Sequence, residues 1–320
     1  MAAPGVFTTT AAGGWLQPNG HAFHGYGVAQ WDNTLFGRQT DVITGGATLA
    51  TRIRSQFPRI NLFRIACYNF TSLGYRTGTI YDAFVNSMTS NGVACVIESH
   101  NTAHATLTGT ALTNETNWYA YWAGHYVSNP LVMFQTMNEP GTNAGWCAQM
   151  LATYNAVRGA GNTSTFFCEA NAGGGYANGT NYAAIFDDPT VFQQMHNVAF
   201  DQHYYSPGSA TNTLQWCTDY VNQAITSLQT VQSATGIIPV TSLEFGNSVN
   251  GSTIDTIGNN LVQAVFNASN TVGATVWSYN SANTASLADN LTTDTTGTTL
   301  NSFGTFCATQ IASSPGAVPY

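Results

Sequence analysis

Two carboxylates at the ends of apolar runs are the residues in this chain best equipped for chemistry. The stretch Val132–Pro140, VMFQTMNEP, closes in Asn138 and Glu139, and Pro239–Gly246, PVTSLEFG, carries Glu244. A short apolar run bounded by breakers reads as a buried parallel strand. The carboxyl end of such a strand is where α/β barrels build their sites. A pair of carboxylates, one to protonate a leaving oxygen and one to attack or to activate water, is the minimum equipment for cleaving a glycosidic bond. The chain has only five glutamates, Glu98, Glu115, Glu139, Glu169 and Glu244. Four of the five end apolar runs, a placement that serves chemistry better than solubility.

These acids need elements to hold them. Strand-like runs are expected near Ala22–Gly27, Asn61–Ile65, Val93–Glu98, Leu131–Thr136, Thr165–Cys168, Val198–Asp201, Pro239–Leu243 and Ala274–Trp277. Helix-like segments separate them, at Thr44–Phe57, Ile80–Asn91, Asn114–Val127, Trp146–Gly159, Thr213–Ala234 and Ile254–Asn270, with a last one at Asn301–Ala312. Strands alternating with helices imply βαβ units and parallel pairing. Eight units without a break in composition point to one closed (β/α)8 TIM barrel spanning 1–320, with roughly the first 20 residues as a lead-in. An open doubly wound sheet would carry a glycine-rich phosphate loop after its first strand, and HGYGVAQW is not one. The long loops Asn69–Thr79, Glu169–Tyr182 and Ser278–Leu300 fall on the carboxyl-end face and are rich in Tyr, Asn, Gly and Thr, which suits a polyhydroxy ligand.

Composition narrows the class. Of the 320 residues 43% are hydrophobic and 7% charged, with a net charge of -8 and no lysine. That excludes a basic nucleic-acid surface, and the aromatic content of 12% excludes disorder. No apolar stretch reaches the ~18–20 residues that span a bilayer. Surface polarity must come from Ser, Thr, Asn, Gln and Gly, as in a secreted protein from acidic surroundings. The first residues, MAAPGVFTTT, lack the regions of a signal peptide, so secretion implies a leader already removed. Seven Asn-x-Ser/Thr sequons, at Asn69, Asn114, Asn162, Asn178, Asn250, Asn267 and Asn290, fit that location. The six cysteines form no C-x-x-C pair, and their pairing is left open. His21, His24, His100 and His104 make no convincing metal set, because no acid or cysteine motif adjoins them. No metal and no cofactor is expected, and the chain is read as a monomer.

The other strand ends supply Arg64 (FRI), Glu98 and His100 (VIESHN), His203 and Tyr205 (FDQHYY) and Trp277 (VWSY). Taken singly, each has a structural reading. Arg64 would be a buried ion-pair partner, either histidine a satisfied core residue, and Trp277 a core aromatic. Taken together they resemble glycoside hydrolase family 5, the large family of retaining cellulases and mannanases, from the first strand to the eighth. The characteristic residues of that family match Arg64, His100, Asn138, Glu139, His203, Tyr205, Glu244 and Trp277. The third strand reads Glu98-Ser99-His100 where Asp is more frequent, and GYGVAQW replaces the usual Gly-Val-Asn.

The resemblance implies that Glu139 is the acid/base and Glu244 the nucleophile. Arg64 and Tyr205 then aim Glu244, and His203 contacts Glu139. Asn138 and His100 bind sugar hydroxyls, and Trp277 stacks on the sugar before the cleaved bond. Glu98 is expected to orient a neighbour. Further sugar contacts are expected among Tyr26, Trp31, Tyr68, His104, Glu169 and Tyr176. The implied activity is a secreted endo-β-1,4-glucanase acting on β-linked polysaccharide or oligosaccharide. Alternatives are a β-mannanase or another β-glycanase of the family and, in a different class, a non-catalytic carbohydrate-binding barrel.

Overall fold

The computed structural model describes residues 5–32, 41–68, 77–100, 106–140, 144–170, 183, 186–206, 213–249, 253–254, 259–268, 271–280, 290–293 and 296–314. Eight parallel strands close on themselves. In chain order they are β1 (Gly25–Trp31), β2 (Leu62–Cys67), β3 (Ala94–Ser99), β4 (Val132–Gln135), β5 (Phe166–Glu169), β6 (Val198–Asp201), β7 (Val240–Val249) and β8 (Thr271–Val276). Each pairs with the next. The ring closes where β8 pairs with β1, Gly273 opposite Gly25. Seven α-helices are described outside it: α1 (Val42–Gln56), α2 (Asp82–Thr89), α3 (Gly109–His125), α4 (Trp146–Gly159), α5 (Leu214–Leu228), α6 (Asn259–Asn267) and α7 (Ser302–Ser313). Between β5 and β6 the described helix is a 3-10 turn, Pro189–Gln194. This is the (β/α)8 barrel expected from the repeats.

Helix starts follow local chemistry. The side chains of Asp41, Thr213 and Asn301 each accept the N–H three residues on, at the starts of α1, α5 and α7. Six buried cysteines lie in the outer core between strands and helices, and none is joined to another in a disulfide.

The strands alternate strictly enough to sort their residues by face. Val132 and Phe134 of β4 pack outward in the helix-facing core, whereas Met133 points into the barrel. The lower interior is apolar, built from Leu62, Val96, Met133, Phe167, Ala199 and Leu243. Phe7, Trp15 and Phe23 of the N-terminal segment join that cluster and stop the amino end of the barrel. The Trp15 indole N–H donates to Thr165 Oγ1 at 2.9 Å. Two residues further along five of those strands, on the same inward face, stand Arg64, Glu98, Gln135, Glu169 and Asp201, all fully buried. A polar layer thus rests on an apolar plug, and the open carboxyl end lies above it.

β1 begins later than the sequence suggests, at Gly25 and not Ala22. Its glycines read as breakers, yet they are what lets β1 approach β2. A Cβ on Gly27 would lie 1.6 Å from the Leu62 carbonyl oxygen. The shift moves Tyr26 to the lower half of β1, where its ring packs on Phe266 of α6. The expected sugar contact at Tyr26 is therefore corrected, since its side chain belongs to the outer core.

Candidate active site

Arg64 is the hub of the polar layer. Its Nη1 donates to Glu244 Oε2 at 2.6 Å and its Nη2 to Asn138 Oδ1 at 2.6 Å, while Nε donates to Gln135 Oε1 at 2.9 Å. Glu98 Oε1 is 3.3 Å from Nη2. One guanidinium from β2 thereby ties together β3, β4 and β7, a use for which its rigid fork of donors is suited. Burial disfavours its charge, but Glu98 and Glu244 outweigh that and keep it ionised.

Glu244 reaches the site through an irregularity in β7. Leu243 faces the barrel interior and Phe245 faces the helices, although two residues apart on a regular strand would share a face. The register of β7 against β8 shifts between Ser242 and Phe245, which changes the parity and turns Glu244 inward. Burial alone would raise its carboxyl pKa, but His203 and Arg64 more than reverse this and hold it down at about 2. The Tyr205 hydroxyl donates to its other oxygen, Oε1, at 2.9 Å.

Glu139 leaves β4 with φ at 42°, a left-handed conformation costly for a residue with a Cβ. The Asn138 N–H donates to the Ser99 carbonyl at 2.8 Å and anchors this bend. Glu139 Oε1 lies 2.9 Å from His203 Nδ1. A carboxylate oxygen of Glu139 and one of Glu244 lie within 4.8 Å of each other, with His203 touching both. The ligand atoms of Glu139, His203 and Glu244 are within metal-ligand reach of one another, as separately are those of Glu169, Asp201 and His203 below, but the contacts they make are to Arg64, Tyr205, Gln135 and His203, a hydrogen-bonded network.

An aromatic wall borders the acids. Trp277 sits 5.1 Å from Trp31 and stacks on His100 at 5.6 Å, and Tyr68 lies edge-on to Trp31 at 5.9 Å. His100 is turned by Glu98, whose Oε1 lies 2.8 Å from Nδ1. That is the orienting role expected of Glu98.

With this geometry in place, the comparisons decide the family. Residues 25–283 match the family model Cellulase (glycosyl hydrolase family 5). The chain belongs to glycosyl hydrolase family 5. Over 149 residues this family 5 hydrolase is 28% identical to Endoglucanase EG-II of Hypocrea jecorina, a match covering 43% of this chain and 36% of that protein. The matched region thus spans about a third of that relative's length. The fold is also that of a beta-mannanase from Streptomyces thermolilacinus, solved with mannohexaose, at a TM-score of 0.71 and 19% identity over 98% of this chain and 97% of that one. The catalytic domain of a Thermobifida fusca endoglucanase gives 0.70 and 15% over 97% and 98%. The family makes the chain a glycoside hydrolase. No helix among its described residues is long and apolar enough to cross a membrane.

Arg64, His100, Asn138, Glu139, His203, Tyr205, Glu244 and Trp277 all meet at this one end of the barrel, with Trp31 and Tyr68 beside them. Glu169 does not reach the opening. It is wholly buried with Oε2 2.9 Å from His203 Nε2, so the expectation of a sugar contact there gives way to a place beneath the site. His104 and Tyr176 lie outside the described residues. Gln135 and Asp201 escaped the sequence reading. The signal was present, since each stands two positions after an inward apolar residue, in phase with Glu98 and Glu169.

Proposed function

We propose that this hydrolase is a secreted, retaining endo-β-1,4-glucanase that cleaves β-linked glucan by double displacement. The observation that carries the reading is the approach of Glu139 and Glu244 to within 4.8 Å, oxygen to oxygen. Retaining enzymes hold their two carboxyl groups about 5–5.5 Å apart, and inverting ones about 6.5–9.5 Å to admit a water. The two environments also differ in the required sense. Glu244 faces Arg64 and Tyr205 and stays ionised, ready to attack the anomeric carbon. Glu139 meets the ring of His203 instead, and among the described residues no arginine pairs with it.

In the first step Glu244 forms a bond to the anomeric carbon as Glu139 gives its proton to the departing oxygen. In the second, Glu139 takes a proton from water, which displaces Glu244. Asn138 has its Oδ1 occupied by Arg64, so the group it offers a sugar 2-hydroxyl is its amide N–H. His100, held at Nδ1 by Glu98, offers Nε2. Trp277, backed by Trp31, presents an indole face to the sugar preceding the cleaved bond. Glucan is preferred over mannan because the curated relative is an endoglucanase and because VIESHN, NLFRIACY and VMFQTMNEP resemble endoglucanase segments.

The test has two parts. NMR of the first-formed anomer should show retention, and an inverted product sinks the mechanism. A panel of carboxymethyl cellulose, glucomannan, galactomannan, xylan and β-1,3-glucan should be cleaved fastest in its β-1,4-glucan members, with products of intermediate length. Preference for galactomannan overturns the substrate.

A further inference from the structure

His203 has a carboxyl group against each ring nitrogen. Nδ1 faces Glu139 Oε1 at 2.9 Å and Glu244 Oε1 at 3.9 Å. Nε2 faces Glu169 Oε2 at 2.9 Å and Asp201 Oδ2 at 3.3 Å. A neutral imidazole carries a single N–H, so it donates at one end only, and an acid must supply the proton for the other contact. Asp201 is the better solvated of the two as an anion. Its Oδ2 accepts the Gln135 amide at 2.6 Å and its Oδ1 accepts the Leu243 N–H at 2.6 Å, whereas Glu169 Oε2 receives the same Gln135 amide only at 3.2 Å, so the proton is held more readily by Glu169. Glu169 stands directly opposite Asp201 in the β5–β6 register, and both side chains are fully buried. Two adjacent buried anions are costly, and one of them keeps a proton. Arg64, the nearest fixed cation, is spent on Glu244, Asn138 and Gln135.

We propose that Glu169 is a positioning residue that shares one proton with His203 Nε2, and that this proton keeps Nδ1 a donor to Glu139 Oε1. The acidic proton of Glu139 is thereby confined to its other oxygen. The inference rests on the reading of Glu139 as the acid/base. Burial, together with Asp201, pushes Glu169 up to about 8. The carboxylates of Glu169, Glu244 and Asp201 overcome burial and lift His203 well above its ordinary value. Both directions place a proton in the Glu169–His203 contact.

The proton balance through the cycle is closed. When Glu139 gives its proton to the leaving oxygen, the O–H bond of Glu169 breaks and an N–H bond forms at Nε2. His203 is then an imidazolium whose Nδ1–H stabilises the new Glu139 carboxylate. When Glu139 takes a proton from the attacking water, the Nε2 proton returns to Glu169. Nothing outside the site is consumed.

Glu169→Gln keeps the size and a donor but no transferable proton. Its kcat/KM should fall about tenfold on glucan oligosaccharides, a part of the 10²–10⁴ that general acid catalysis supplies. The KM of the variant and its kcat/KM on aryl glycosides with activated leaving groups should stay within about twofold. Its alkaline limb should lose one ionisation. An equal loss on both substrate types, or an unchanged limb, overturns the proposal. Glu139→Gln run in parallel separates the two readings. If it too fails to distinguish leaving groups, the acid/base assignment itself is wrong; if it distinguishes them and Glu169→Gln does not, only the shared proton is. A measurement on the unaltered enzyme guards against a variant that does not fold. Nitrogen-15 NMR of labelled histidine, with His203 assigned by its loss in His203→Asn, should show Nδ1 protonated from pH 4 to 7. A bare Nδ1 in that range overturns the proposal.

Discussion

At the scale of single residues, the site separates two chemically identical side chains by their neighbours. Glu244 faces a guanidinium and a phenol, and Glu139 faces an imidazole on a strained turn. Glu244→Gln should therefore abolish the glycosyl-enzyme with every substrate. Glu139→Gln should spare that first step for aryl glycosides whose leaving groups need no proton. Rapid-quench trapping distinguishes the two, and equal loss of the first step in both variants refutes the roles. Tyr205→Phe removes one hydrogen bond to a charged carboxylate, a contact generally worth about 1.5–3 kcal/mol. Turnover should drop roughly 10–100-fold with little change in melting temperature, because Tyr205 lies at the rim of the core and not within it. A variant that unfolds instead would give Tyr205 a structural role.

At the scale of elements, much of the barrel is legible in the sequence because buried parallel strands are short, apolar and set off by breakers. What escaped has specific causes. The glycines of β1 resemble a turn, since nothing in the sequence tells a breaker from a residue that admits a neighbouring carbonyl. Gln135 and Asp201 look like strand ends because a polar layer inside a barrel interrupts the very run that identifies the strand. The inward turn of Glu244 depends on a register shift in β7, and hydrophobic pattern does not encode one. Tyr205 and His203 are legible through their neighbours in the motif FDQHYY, not through periodicity. The N-terminal segment carries an element-scale prediction. Trp15 is 2% exposed and closes the barrel floor with Phe7 and Phe23. Trp15→Ala should cost about 3–5 kcal/mol, as large-to-small changes of buried aromatics do. Denaturant unfolding measures it, and a loss under 1 kcal/mol would mean that the segment merely rests on the barrel.

At the scale of the whole molecule, the shifts in the site and the sparse charge of the surface act in the same direction. Glu244 is held at about 2 in the fold, against about 4.3 in an unfolded chain. Its contribution to stability is complete above that ordinary value and is lost only as pH falls toward 2. Glu169, raised to about 8, binds a proton that the unfolded chain gives up near 4.3. Its contribution is complete below about 4.3 and is lost as pH rises toward 8. His203, raised above its ordinary value, likewise contributes below that value and loses its contribution at higher pH. Because Glu169 and His203 share a proton, they count as one titrating pair and not two. Stability should therefore be greatest between about pH 4 and 5, with decline on the alkaline side beginning well below pH 8. Ten Asp and five Glu leave few carboxylates elsewhere to be lost to acid, and with seven Arg and no Lys the positive self-repulsion below pH 4 is small. Activity needs Glu244 ionised and Glu139 protonated, so its pH profile should be a bell centred in the acid range, with an acidic limb extended by Arg64. Thermal midpoints and kcat/KM measured from pH 2 to 8 test both expectations. A midpoint that climbs from pH 5 to 8, unfolding near pH 4, or an optimum at neutrality or above would show that these buried pairs do not govern how the enzyme responds to acid.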